Sequence, residues 1–370
     1  MQGKLILTDG KMYEGTSFGA PISNSGEIVF ATGMTGYPQA FTDPSFSGQI
    51  LILTYPLIGN YGVPSQQLWE SDNLQIKGLI VSNYIDTPSH FQSKMTLASW
   101  LKKEKVPALE IKDTRALTQH LREKGVMLGK IIVNKDIPQY DPNKINLVAQ
   151  VSTKKVTYET SVIANTVKQS HTQKIAALPT VARNDANKSK TIVIIDCGAK
   201  RNITRCFLKR GVQTITVPWD YDPFENKLNF DAIFISNGPG DPKMADKTII
   251  TIKKALANKI PTLGICLGNQ LLALAAGGDT YKLKYGHRSQ NQPCLLYGSD
   301  RCYITTQNHG FAIKEVPQEF EPWFINANDK TIEGIKHKKY PFMSVQFHPE
   351  AAPGPMDTEW IFDYFLERIT

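Results

Sequence analysis

The sequence lacks the short-range signatures of a metal protein. Its 5 cysteines and 7 histidines form no C-x-x-C and no H-x-x-x-H pair, so no metal site is expected. The cysteines are Cys197, Cys206, Cys266, Cys294 and Cys302, odd in number, irregular in spacing and confined to the second half. That argues against a disulfide framework and suits a reducing compartment. No apolar run approaches the length of a membrane span. The opening "MQGKLILTDGKMYEG" has neither a secretory apolar core nor an arginine-rich transit helix, and a cytoplasmic location is expected. The net charge is +8, yet no basic block occurs; the lysines are scattered and often stand beside acids, as on a solvated surface rather than a nucleic-acid face. "GVMLGK", Gly125 to Lys130, has three residues between its glycines and Ile131 after the lysine, so it is not a phosphate loop. No dinucleotide fingerprint appears, and nothing in the chain is expected to bind ATP.

What is present is ample chain for a core: 370 residues, 41% hydrophobic, enough for roughly two or three domains. Residues 1–151 carry strand-like runs such as "GEIVFATG" and "GQILILTYP", with a hairpin expected at Asp9-Gly10. "DTRALTQHLREKG" has helical spacing, with Asp113 or Thr114 as N-cap and Gly125 as stop. This part reads as a smaller mixed α/β domain. Residues 152–189 are polar and aperiodic, a linker with room for one short strand. From residue 190 to 370 short apolar runs ("TIVIID", "TITVP", "DAIFIS", "PTLGIC") alternate with amphipathic helices, which implies βαβ units and a doubly wound, mostly parallel sheet.

Ligands of such sheets gather beyond the carboxyl ends of the strands. Three turns there carry unusual residues. In "SNGPGDP", Ser236 to Pro242, glycines leave backbone N–H groups uncovered, able to hold an anion or simply to form a tight loop. In "GICLG", glycines flank Cys266 at a sharp strand-to-helix turn, where a helix N-terminus favours thiolate. Free cysteine is also among the most buried residue types, so this motif alone leaves nucleophile and core residue both open. In "SVQFHPE", His348 and Glu350 leave a strand two residues apart and therefore on one side. Glu350 can then hold one imidazole nitrogen while the other faces a thiol, the logic of a triad.

Together "GICLG", "SNGPGDP" and "FHPE" resemble the class I (triad) glutamine amidotransferases, whose fold is flavodoxin-like. The resemblance covers about 190–370. It implies Cys266 as nucleophile, His348 as base and Glu350 as its orienter, a γ-glutamyl thioester, and an oxyanion held by the amides of Leu267 and Gly238. "GEIVFATGMTGYPQAFTDPSFSGQILILTYPLIGNYG", "DTRALTQHLREKG" and "TTQNHGF" resemble the small subunits of carbamoyl-phosphate synthetases, and "YGHRSQNQPCLLYGS" resembles the animal multifunctional pyrimidine enzyme more. By position, the resemblance implies that Ser45, Gly238, Gly240, Leu267, Gln270, Asn308, Gly310 and Phe311 bind L-glutamine. His309 is read as structural. The family commonly has histidine where this chain has Asn269, and no loss of activity is expected from that.

The expected activity is hydrolysis of glutamine to glutamate and ammonia, with ammonia passed to a large synthetase partner that uses bicarbonate, magnesium and ATP; this chain itself would need no cofactor. The chain could be a free subunit or an excised domain. The rivals are an amidotransferase for another synthase, which the first domain speaks against, a stand-alone γ-glutamyl thiol hydrolase, and a non-catalytic subunit, which the intact Cys266, His348 and Glu350 speak against.

Overall fold

The computed structural model describes residues 1–160 and 189–369. The first part is a barrel. Strands β1 (Gln2–Leu7), β2 (Met12–Ser17), β3 (Asn24–Ala31), β4 (Gln49–Leu53), β5 (Gly78–Val81), β6 (Ala108–Glu110) and β7 (Met127–Ile132) close in the order β1-β2-β6-β5-β4-β3-β7. Strands β3 to β6 run parallel to their neighbours within that group, and the remaining pairings are antiparallel. Alternation along the strands sorts the side chains. Leu5, Ile28, Ile50, Ile80, Leu109 and Ile131 meet in one cluster to which nearly every strand contributes, as an interior must. The opposite faces of the parallel strands, Val29, Leu51, Leu79 and Ala108, are covered by Phe41 of α1 (Tyr37–Thr42) and Trp100 of α2 (Leu97–Lys103). With both faces buried, these strands read as continuous apolar runs. Helix α3 (Thr114–Lys124) begins where the Asp113 carboxylate accepts from Ala116 N at 2.9 Å and ends at Gly125.

After α4 (Val148–Val151), a sheet of ten strands is built on β9 (Thr191–Asp196), β10 (Gln213–Pro218), β11 (Ala232–Ile235), β12 (Thr262–Ile265) and β17 (Phe342–Val345). These five are parallel in the order β10-β9-β11-β12-β17, the 2-1-3-4-5 pattern of flavodoxin-like folds. β8 (Thr157–Glu159) adds antiparallel at one edge; β13 (Asp279–Leu296), β14 (Cys302–Glu315), β15 (Phe320–Asn326) and β16 (Ile332–His337) extend the other. Helices α5 (Arg201–Lys209) and α8 (Trp360–Leu366) pack on the face that shows Ile192 and Ile194. Helices α6 (Asp246–Ala257) and α7 (Leu267–Ala275) pack on the face that shows Val193 and Ile195. The sheet is thus doubly wound.

Of the stretch expected as linker, 161–188 lies outside the described residues. The described part leads into β8, and Thr153 N donates to Asp196 Oδ2 at 2.7 Å, so this segment is held to the sheet. The barrel meets the sheet through Lys282–Glu27 (2.5 Å) and Arg205–Glu70 (3.1 Å) among other pairs. Among the described residues no helix is long and apolar enough to cross a membrane.

Candidate active site

β12 ends at Ile265, and Cys266 is the single residue between it and α7, which starts at Leu267. The two flanking glycines are dictated by space. A Cβ on Gly268 would stand 2.2 Å from the Ile235 carbonyl oxygen, and one on Gly264 would stand 2.5 Å from that of Gly268. Only bare backbone lets the first turn of α7 come so close to β11 and β12. Cys266 itself has φ 54° and ψ −101°, a conformation L-residues avoid, and is buried. Its thiol donates to the Asn308 carbonyl at 3.5 Å. The Leu267 N–H opens α7 and has no partner within the helix, as the first N–H groups of any helix do not.

His348 and Glu350 follow β17, the strand beside β12, so both reach the same rim. His348 Nδ1 lies 2.7 Å from Glu350 Oε1. Among the described residues Nε2 has no hydrogen-bond partner, and the thiol is turned to Asn308. Burial opposes a charge on the imidazole, but Glu350 and the nearby Cys266 outweigh it and raise the His348 pKa to about 10. Burial likewise opposes a charge on Glu350, yet Lys200 and His348 lower its pKa to about 2. Lys200, 2% exposed, stands 3.0 Å from Glu350 Oε1 and also donates to the Ala351 carbonyl. Its pKa is raised: burial works against it, but Glu350, Glu70 and Asp43 prevail. A fully buried ion pair needs such added hydrogen bonds to offset desolvation.

One cavity opens at Cys266. It is lined by Ser45, Gly238, Gly240, Leu267, Gln270, Asn308, Gly310 and Phe311, every residue expected from the sequence to hold the substrate. Gln270 donates to the Phe311 carbonyl (2.8 Å) and to Gln346 (3.1 Å). Ser45 comes from the barrel, and Asn237 donates to its hydroxyl at 2.9 Å. Gly238 packs where a Cβ would meet the Cys197 carbonyl at 2.1 Å. Asn269 is bonded to Gln346 and Ser344 in the core. A second cavity is lined by His348, Lys200 and Asp43, and shares Arg288 and Asn308 with the first.

Four residues of this site escape the sequence reading. Asp43 accepts from Ser45 N (2.9 Å), Asn237 (3.2 Å) and Asn308 (3.2 Å), and so joins the barrel to the sheet. Asn237 stands between Asp43 and Ser45. Lys200 follows β9 in "CGAKRN", a turn at the same strand ends, and that position was its only signal. Arg288 is a buried guanidinium between the two cavities, donating to the Tyr285 carbonyl at 2.8 Å while its Nε has no partner; nothing in the sequence pointed to it.

Comparison with known proteins matches residues 193–368 to the glutamine amidotransferase class-I family and residues 5–131 to the carbamoyl-phosphate synthase small chain, CPSase domain. The carbamoyl phosphate synthase small chain of Pyrococcus furiosus is 42% identical over 380 residues, covering 100% of this chain and 98% of that protein. The arginine-specific small chain of Saccharomyces cerevisiae is 43% identical over 381 residues, covering 98% and 87%. The multifunctional protein URA2 of Saccharomyces cerevisiae is 44% identical over 397 residues, covering 99% of this chain but 17% of that protein. The chain therefore spans about a sixth of the length of such multifunctional relatives.

Proposed function

Because the chain belongs to the carbamoyl-phosphate synthase small-chain family and carries a class-I glutamine amidotransferase domain, we propose that it hydrolyses L-glutamine and delivers ammonia to a large synthetase partner. The observation that carries this reading is Cys266 in a cavity lined by the eight expected glutamine contacts, with His348, held by Glu350 at 2.7 Å, at the end of the neighbouring strand. His348 Nε2 holds the proton that the thiol gives up, and sulfur attacks the side-chain amide carbon. The oxyanion forms toward the amides of Leu267 and Gly238. Collapse breaks the C–N bond, and the imidazolium gives its proton to the leaving nitrogen, releasing ammonia and a γ-glutamyl thioester. Water then attacks the thioester, its proton passing to His348 and on to the departing sulfur. With its pKa raised to about 10, the imidazole is already protonated near neutral pH, which suits delivery of that proton to the leaving ammonia rather than its uptake during the attack. Lys200 keeps Glu350 ionised throughout. We assign the departure of ammonia to the second cavity, which His348 lines. The glutamine reaction uses no cofactor of this chain; ATP, magnesium and bicarbonate belong to the partner.

The test pairs two nitrogen sources. In the assembled complex, Cys266→Ser is expected to abolish glutamine-dependent carbamoyl phosphate formation and to leave ammonia-dependent formation largely intact. Equal loss of both would make Cys266 a structural residue. Wild-type hydrolysis is measured alone and with the partner in the same series, and full activity alone would favour the stand-alone hydrolase instead.

A further inference from the structure

Two histidines face each other across β13 and β14. His287 and His309 are register partners, and their rings lie 4.9 Å apart. Residues two apart on a strand share a face, which sets Gln307 beside His309. Glu333 arrives from β16, which touches β14 at Ile332 and Ile313. All four side chains are buried. Gln307 Oε1 is 2.8 Å from His287 Nδ1 and 3.2 Å from His309 Nε2. The Glu333 oxygens reach His287 Nδ1 at 3.3 Å and His309 Nε2 at 3.8 Å.

The outer partners fix what these atoms present. His309 Nδ1 lies 2.9 Å from the Phe311 carbonyl, which only accepts. The ring proton is therefore on Nδ1, and Nε2 turns a lone pair inward. Gln307 donates its amide to Cys294 Sγ and Thr305 Oγ1, both at 3.2 Å, so Oε1 faces the cluster as an acceptor. Glu333 Oε1 accepts from Thr331 at 2.9 Å, while among the described residues the buried Oε2 has no hydrogen-bond partner. His287 Nε2 is anchored on Asp329 at 2.8 Å, leaving Nδ1 toward the others. Several acceptors thus converge with too few protons among them, a costly arrangement in a buried place. A divalent cation resolves it. Histidine ligands whose second nitrogen is tied to a carboxylate or a backbone carbonyl are the usual outer shell of a metal site. Ligand atoms about 2.0–2.2 Å from a tetrahedral zinc lie roughly 3.3 Å from one another; the histidine nitrogens here stand 2.8 to 3.8 Å from Gln307 Oε1 and the nearer Glu333 oxygen, and the ligand atoms of His287, His309 and Glu333 all lie within 4.8 Å of one another. Two imidazoles in the set disfavour magnesium and calcium, which prefer oxygen throughout.

We propose that His287, His309, Gln307 and Glu333 form a buried tetrahedral site for a first-row divalent cation of the zinc type, with Asp329 as its orienting carboxylate. The histidines are partners across strands, which is why no H-x-x-x-H spacing announces them. With four protein ligands the site is closed and structural. It ties β13, β14 and β16 together and steadies residues 307–311, whose Asn308 carbonyl receives the Cys266 thiol and whose Phe311 carbonyl receives Gln270. It does not depend on any step of the amidotransferase reaction.

The experiment uses the full chain, stripped with a chelator and dialysed, and titrated with zinc against a chromophoric competitor. Cobalt serves as the spectroscopic probe. A single high-affinity zinc per chain, an intense visible cobalt spectrum of tetrahedral type and a higher melting temperature with zinc are expected. Glu333→Gln and His287→Gln should lose the ion, and Asp329→Asn should weaken its binding about 10- to 100-fold. The proposal is overturned if the wild type takes up no stoichiometric zinc, or if uptake is unchanged in both Glu333→Gln and His287→Gln. His287 would then be an imidazolium bridging Asp329 and Glu333.

Discussion

Cys266, with φ 54°, is a residue whose sequence context foretold its backbone. Glycine on both sides of a cysteine at a strand end has few other uses, and the positive φ costs about 1–3 kcal/mol that only surrounding packing can sustain. His348 and Glu350 were legible for a similar reason: two residues on one side of a strand end meet the same neighbours. Lys200 was not, because a lysine in a polar turn reads as solvated until the fold buries it. The charges of this group set a pH dependence whose sign follows from their shifts. His348 is raised from 6.5 to about 10, so its proton stabilises the fold fully below pH 6.5, and that stability is lost as pH rises through 10. Glu350 is lowered from 4.5 to about 2, so its contribution is present above pH 4.5 and is lost as pH falls through 2. Stability from this pair should therefore fall away on both sides of a plateau near pH 4.5–6.5. Cys266 is one of the groups that raise His348, so Cys266→Ala should bring the imidazole pKa below its wild-type value. Histidine NMR titration reads this directly, and a wild-type His348 titrating near 6.5 would remove the argument.

At the scale of elements, the turn from β12 to α7 is where the site is most sensitive to volume. Gly268→Ala pushes a methyl against the backbone of β11, which cannot yield as a side chain tip can. The cost should be about 1–3 kcal/mol or more, the range of overpacked cores. Gly277→Ala is the control: its φ of 92° is strained for alanine, but nothing lies within 4 Å of the added carbon. Urea midpoints should rank Gly268→Ala as the more damaging, and the reverse order would mean that β11 and α7 separate easily. The same contrast between local and distant causes explains which elements could be read. Helix α3 was visible because its cap Asp113 and its stop Gly125 directly flank it in sequence. The parallel strands β9 to β12 were visible because both their faces are buried. Closure of the barrel was not, since β1 meets β7 across more than a hundred residues and no local pattern records that pairing. The antiparallel extension β13 to β16 showed only as richness in strands, because its shifts of register between β13 and β14 blur the alternation.

Over the whole molecule, the cavity at Cys266 exists only where the barrel meets the sheet. The family resemblance named Ser45, but the physical link between the halves is Asp43, whose carboxylate holds Ser45 on its own side and Asn237 and Asn308 on the other. No sequence feature marks Asp43 as the link, because its partners across the seam, Asn237 and Asn308, lie more than 190 residues away. On the proposed reading, this seam aligns glutamine rather than reacting with it. Ser45→Ala removes one hydroxyl and should act mainly on KM for glutamine, as loss of a contact shared by ground and transition states does. A neutral hydrogen bond of about 0.5–1.5 kcal/mol corresponds to roughly 2- to 13-fold. Asp43→Asn keeps the shape but sets an amide donor against the amides of Asn237 or Asn308. It strips a charged acceptor from three donors at once, and bonds to charged groups contribute about 1.5–3 kcal/mol each. Its loss in kcat/KM should therefore exceed that of Ser45→Ala by about tenfold or more, with ammonia-dependent synthesis by the complex spared. Steady-state kinetics with both nitrogen sources makes the comparison. An unchanged KM in both variants would mean that the sheet alone positions glutamine, and that the barrel serves only to dock the chain to its partner.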